Sequence, residues 1–186
     1  TRRGLRIRRP LRWYAACELG IGVWGLVGVV LLPRMPALLA FLASGRAPSD
    51  SALLVTRVVA ALLFLAPPTV LMGMTLPLLA SGLERGRDFL ATLGSLYGAN
   101  TLGAFVGTAT AGFALLPTLG SARTTLVASG LNFAVCAVAW RMVLDPQSAM
   151  AGDPAPEPRR RLVLPALFLL TGALSLACEI AWTRAL

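Results

Sequence analysis

Histidine and lysine are both absent from this chain of 186 residues. Without histidine the commonest general base and metal ligand is missing. Charge is scarce altogether: 13% of the residues are charged, against about 25% in soluble domains. The chain is instead 56% hydrophobic, with a mean hydropathy of +0.74, a balance that argues against a water-soluble fold. Cysteine is sparse as well. Cys17, Cys136 and Cys178 each lie inside an apolar run, and an odd number of dispersed thiols builds no disulfide framework. No metal-ligand spacing occurs, so neither a metal nor a cofactor is expected in this stretch of chain.

The charge that is present is lopsided. Seventeen arginines stand against 8 acids, a net charge of +9. Strongly basic chains often bind nucleic acid, but here the arginines flank apolar runs, the pattern that sets membrane topology. A lipid bilayer is therefore the expected partner, and no nucleic acid. The chain begins at Thr1 and stops at "EIAWTRAL" without a helix end, so it reads as a fragment whose other partners are further helices of its own protein. "TRRGLRIRRPLRWYAACELGIGVWGL" looks superficially like a signal peptide. Its apolar run is too long for one, contains Glu18, and precedes several equally long runs.

A spanning helix needs about 20 mostly apolar residues. Five runs qualify: Trp13–Leu32, Leu53–Leu79, Leu93–Leu116, Thr124–Leu144 and Leu162 to the end. The expected fold is all-α, a polytopic helix bundle of about five spans. Its second span carries Pro67, Pro68 and Pro77 and should be bent or broken, because proline removes a backbone donor. The organisation is a basic segment (1–12), a four-span bundle (13–144), a polar linker (145–161) and a truncated fifth span (162–186). Ala37–Ala43 is too short to span and reads as an interfacial turn.

Arginine placement gives the orientation. Segments before the first span, between the second and third, and between the fourth and fifth carry twelve arginines; the other two loops carry three. The heavier set faces the cytoplasm, which puts the N-terminal segment inside and the protein in the inner (plasma) membrane as a multi-pass chain. Trp13, Tyr14 and Trp140 then fall at the cytoplasmic interface, where aromatic belts sit. Arg159, Arg160 and Arg161 close the linker beside the membrane. They either bind anionic headgroups or simply fix topology.

The third span is full of glycine, among the poorest helix formers in water. At about 100° per residue, Gly94, Gly98, Thr101 and Gly112 share one side, and Gly103, Gly107, Thr110 and Asn100 the opposite one. Two smooth faces imply a helix sandwiched between partners, since close backbone contact drives association in lipid. A substrate path lined by the same small residues is the alternative.

Ionisable groups inside a membrane cost about 2.5–3.5 kcal/mol at mid-bilayer on insertion scales and invite a functional hypothesis. Glu18, Arg57 and Glu179 are the candidates, with Asn100 as a neutral one. Glu18 is expected to lie shallowly on the cytoplasmic side. Counting residues puts Arg57 and Glu179 at similar depth near the outer surface, where they either pair or reach their interface independently. Trp182 shares roughly one helix face with Glu179, and Arg184 is turned away. A short echo, "AACELG" at Ala15–Gly20 and "LACEIA" at Leu176–Ala181, hints at an internal repeat of the kind transporters contain.

Several stretches read together carry a family likeness: "PPTVLMGMTLPLL" (Pro67–Leu79), "LYGANTLGAFVG" (Leu96–Gly107), "GFALLPTLG" (Gly112–Gly120), "LNFAVCAVA" (Leu131–Ala139) and "LACEIAWTRAL" (Leu176–Leu186). In this order they resemble the membrane region of spermidine synthase-like proteins, in which a transporter-like bundle is fused to an aminopropyltransferase domain. Cys178 departs from the aromatic residue that the last motif would place before its glutamate. The resemblance implies a parent with more membrane helices and a cytosolic Rossmann-like domain. In spermidine synthases that domain moves an aminopropyl group from decarboxylated S-adenosylmethionine to putrescine. The Gly-rich nucleoside loop and the acids that such chemistry needs are missing here, so no catalytic residue is expected in this chain. It would anchor or serve a catalytic domain; the alternative is part of a secondary transporter with no enzymatic domain.

Overall fold

The computed structural model describes residues 10–35, 37, 50–81, 89–144 and 158–183. All of the regular structure among them is helical: α1 (Pro10–Leu31), a short 3-10 turn (Leu32–Arg34), α2 (Asp50–Ser81), α3 (Phe89–Thr110), a π-helical turn (Ala111–Leu115), α4 (Leu116–Leu144) and α5 (Pro158–Thr183). Proline opens α1 and α5, where its missing N–H and fixed φ suit the first helical position. Pro33 ends α1 in the 3-10 turn, and the Arg34 guanidinium donates back to the Val30 carbonyl across that end.

Four apolar helical stretches are long enough to cross a membrane, and one of them, Phe89–Leu144, runs for 56 residues. Its two halves run in opposite directions. Gly103 lies against Leu169 and Gly107 against Ala173, so α3 is parallel to α5. Tyr14 stacks on Phe168, and Glu18 bonds to Thr171, so α5 is parallel to α1. Gly22 meets Phe133 while Gly25 meets Ser129 and Thr125, so the far half of the stretch is antiparallel to α1. The reversal sits at Gly120, whose φ of 74° is left-handed backbone that glycine adopts without a steric penalty. The chain thus makes five traverses, in agreement with the five apolar runs of the sequence.

α2 is antiparallel to α1, since Trp24 meets Phe64 and Gly20 meets Leu71. The starts of α1, α3 and α5 and the ends of α2 and α4 therefore share one end of the bundle. In sequence, the arginine-rich segments connect to the helices at that end. Trp13 and Trp140 are exposed there.

Pro67, Pro68 and Pro77 all lie inside one continuous helix. Of the two outcomes expected, bent or broken, the helix is not broken, and a neighbour repairs one of the defects. Pro68 cannot donate to the carbonyl four residues back, and the indole N–H of Trp24 donates to that Phe64 oxygen at 2.9 Å. A second proline, Pro117, acts differently. Its ring crowds the carbonyl of Phe113, and the helix widens into the π-turn at Ala111–Leu115 just before it.

The helices pack in the order α2, α1, α4, α5, α3. α3 lies against α5 rather than against α4, its neighbour in sequence, so the fifth span belongs to the middle of the bundle. The core holds Tyr14, Ile21, Leu96, Phe168 and Cys178. Leu63, Leu90, Phe105 and Phe113 point outward and are exposed, a surface that suits hydrocarbon and not water.

Candidate functional site

Among the described residues Glu18 is a fully buried acid, with a relative exposure of 0%. It sits eight residues into α1, roughly 12 Å along the axis at 1.5 Å per residue, and faces α5 instead of snorkelling to the near interface. The carboxyl is enclosed by the bundle. Thr171 Oγ1 lies 2.8 Å from Glu18 Oε1, 2.6 Å from the Tyr14 hydroxyl and 3.0 Å from the Leu167 carbonyl oxygen. Tyr14 sits one turn before Glu18, which places both on one helix face. Its ring stacks on Phe168 at 6.0 Å between centroids, and this contact fixes where the hydroxyl points. Thr171 sits one turn after Leu167, so a single hydroxyl collects three oxygen neighbours from two helices.

The other carboxyl oxygen, Glu18 Oε2, is buried with no hydrogen-bond partner among the described residues. The titratable groups within electrostatic reach of Glu18 are Tyr14, Cys17, Cys136 and Cys178. None of them is a cation. The three cysteines are free thiols, and no group of metal-binding side chains occurs among the described residues.

A second polar line runs along α4. Thr124, Thr125, Ser129 and Asn132 are all buried, and Thr125, Ser129 and Asn132 recur at helical spacing on one face. Gly22 and Gly25 of α1 approach this face, where a Cβ at Gly25 would collide with Ser129 Oγ. Asn132 donates to the Ala128 carbonyl at 3.1 Å, while Ser129 Oγ has no partner among the described residues. Near the reversal, Ser121 donates to the Ala181 carbonyl at 2.7 Å and ties α4 to the end of α5.

Other residues singled out by the sequence fall elsewhere. Arg57 and Glu179 are both exposed, on helices that share little contact, and no ion pair joins them among the described residues. The pairing expected from depth fails because depth does not fix azimuth: each faces outward. Asn100 is half-buried, and its backbone carbonyl lies against Gly172. Arg184 and the side chains of Trp182, Arg159, Arg160 and Arg161 lie outside the described residues. Gly103 and Gly107 do form a close helix contact, on the α5 backbone. Gly94, Gly98 and Gly112 meet nothing within 4 Å, so α3 is packed on one smooth face and not sandwiched among the described residues.

Thr171, Tyr14, Gly172 and Asn132 were missed as site or packing residues. The signal for Thr171 was faint, since one threonine in an apolar helix is ordinary. Asn132 was more legible, as an amide in an apolar run with Ser129 and Thr125 on its face. The echo of Cys17-Glu18 in Cys178-Glu179 does not extend to environment, because Glu18 is enclosed and Glu179 exposed. No protein family, curated protein or solved structure matches this chain.

Proposed function

We propose that this chain is the membrane-embedded portion of a spermidine synthase-like protein, and that it holds a catalytic domain at the inner membrane with its arginine-rich end in the cytoplasm. The observation that carries this reading is where the family-like stretches fall. Leu96–Gly107 lies on α3 and most of Leu176–Leu186 on α5, and these two helices pack most closely, backbone against backbone at Gly103 and Gly107. Gly103 and Gly107 of the Leu96–Gly107 stretch thus serve the cohesion of the bundle, as an anchor requires, against Leu169 and Ala173 of α5. Arg159, Arg160 and Arg161 would add headgroup attraction at the same end. The likeness rests on these motifs alone, and fold does not by itself assign chemistry.

The test uses the full reading frame that contains this chain. Membranes holding the whole protein are assayed for aminopropyl transfer from decarboxylated S-adenosylmethionine to putrescine, beside a variant lacking residues 10–183. Activity that stays with the membrane in the first and moves to the soluble fraction in the second supports the anchor. A reading frame with seven or more further spans and no soluble Gly-rich nucleoside loop overturns it.

A second reading, a secondary transporter bundle without an enzymatic domain, is favoured by the enclosed carboxylate of Glu18. Intramembrane acids mark ion and substrate paths. Uptake by proteoliposomes carrying the full protein, lost on Glu18→Gln, would select this reading.

A further inference from the structure

With the Tyr14 hydroxyl held on Thr171 Oγ1 at 2.6 Å, the hydrogens around Glu18 have two arrangements. In the first the carboxylate is ionised. Tyr14 then donates to Thr171 Oγ1, and Thr171 donates its one hydrogen to Glu18 Oε1. That leaves the Leu167 carbonyl contact without a hydrogen and Oε2 bare. An anion with a bare oxygen is then enclosed among apolar side chains, with no cation among the described residues to face it. Such a charge is among the costliest things to bury.

In the second arrangement the acid is neutral. Oε1–H donates to Thr171 Oγ1, the Tyr14 hydroxyl also donates to it, and Thr171 passes its own hydrogen to the Leu167 carbonyl. A threonine hydroxyl has one hydrogen to give and two lone pairs to receive. The three contacts at 2.8, 2.6 and 3.0 Å use all of them. Oε2 becomes a carbonyl oxygen, the kind of acceptor that most cheaply goes unbonded. Every hydrogen then has a place.

We infer that Glu18, with Thr171 and Tyr14, forms a proton-binding site inside the membrane that joins the first helix to the last. The ligand is a proton because Tyr14, Ala15 and Phe168 beside it are themselves fully buried, and a larger cation would have to displace them. The titratable groups within electrostatic reach of the carboxyl are Tyr14 and Cys17 from α1, Cys136 from α4 and Cys178 from α5. Removing the proton turns the Thr171 hydrogen from Leu167 toward Glu18 and leaves an unpaired anion between α1 and α5, so proton binding and the α1–α5 contact are linked. This inference stands apart from the anchor reading and holds for a transporter bundle equally.

Infrared spectroscopy of the purified chain in lipid bicelles at neutral pH tests it. A protonated carboxyl shows a C=O stretch that ionised side chains lack, and an enclosed one exchanges slowly in D2O. The expected result is one slowly exchanging acid band in the wild type. It should persist in Glu179→Gln, vanish in Glu18→Gln, and shift to higher frequency in Thr171→Val, where the acid has lost its acceptor. Thr171→Val retains Glu18, so it reads the site even if Glu18→Gln fails to fold. Absence of an acid band in the wild type overturns the inference, as does a band that disappears with Glu179 or stays unmoved in Thr171→Val.

Discussion

Trp24 donates its indole N–H to the Phe64 carbonyl oxygen at 2.9 Å, the same oxygen to which Pro68 has no N–H to give. The rings of Trp24 and Phe64 also pack, with centroids 5.6 Å apart. A defect in α2 and a polar tip on α1 thus satisfy each other in a region without water. This is the usual condition for a proline inside a membrane helix, and it explains why α2 runs unbroken through Ala66–Thr69.

Trp24→Phe retains an aromatic ring and removes the donor. Loss of that hydrogen bond should cost about 0.5–1.5 kcal/mol, read as a lower melting temperature in detergent. Pro68→Ala restores an N–H to serve Phe64, so Trp24→Phe should cost clearly less in that background. Equal losses in both backgrounds would separate the tryptophan from the proline.

Gly103 and Gly107 should tolerate no side chain, because a Cβ at either meets the α5 backbone, which cannot step aside. Leucine at both should cost at least the 1–3 kcal/mol per site or so typical of overpacking. Leucine at Gly94 and Gly98 meets open space and should leave melting near wild type. The contrast checks the one-sided packing of α3: if the second pair is as damaging as the first, that face is occupied as well.

The sequence made the number of traverses and their alternating directions legible, because run length and arginine placement answer to bilayer thickness and topology. Packing partners were not legible. Glycine periodicity exposed both smooth faces of α3 but not which one would be used, since that depends on where α5 docks. The same limit explains Arg57 and Glu179, whose depths agree while their directions do not. Glu18 could be singled out as costly, yet its partner Thr171 lies 153 residues away, and no local pattern links the two. Trp24 and Pro68 belong to the same class, a compensation between helices that neither segment reveals alone.

Topology has a direct check. With Cys17, Cys136 and Cys178 replaced by alanine, single cysteines at Ser148 and Ser49 are exposed in intact cells to a membrane-impermeant thiol reagent. Ser49→Cys should label and Ser148→Cys should not, because the ends of α2 and α4 and the starts of α1, α3 and α5 share the arginine-rich side. Labelling at Ser148→Cys alone would invert the bundle. Labelling at both positions would contradict the alternation of directions itself.

The connection between α1 and α5 should respond unequally to its two hydroxyls. Tyr14→Phe removes one donor but preserves the stack on Phe168. Thr171 Oγ1 then has one lone pair unfilled, and a partly used acceptor is a mild defect. Thr171→Val is nearly isosteric and removes the shared oxygen. Both the Tyr14 hydroxyl and the Glu18 carboxyl then lose their partner in a buried setting, at about 1–3 kcal/mol for each group. Thr171→Ser retains the oxygen and should lie close to Tyr14→Phe. The predicted order of melting temperature in detergent is wild type highest, then Thr171→Ser and Tyr14→Phe, then Thr171→Val. Because the two hydroxyls share one bond, Tyr14→Phe should also cost less in the Thr171→Val background than in the wild type. Equal cost in both backgrounds would mean that the Tyr14 hydroxyl is held by something other than Thr171, and the connection between the first helix and the last would rest on the ring stack alone.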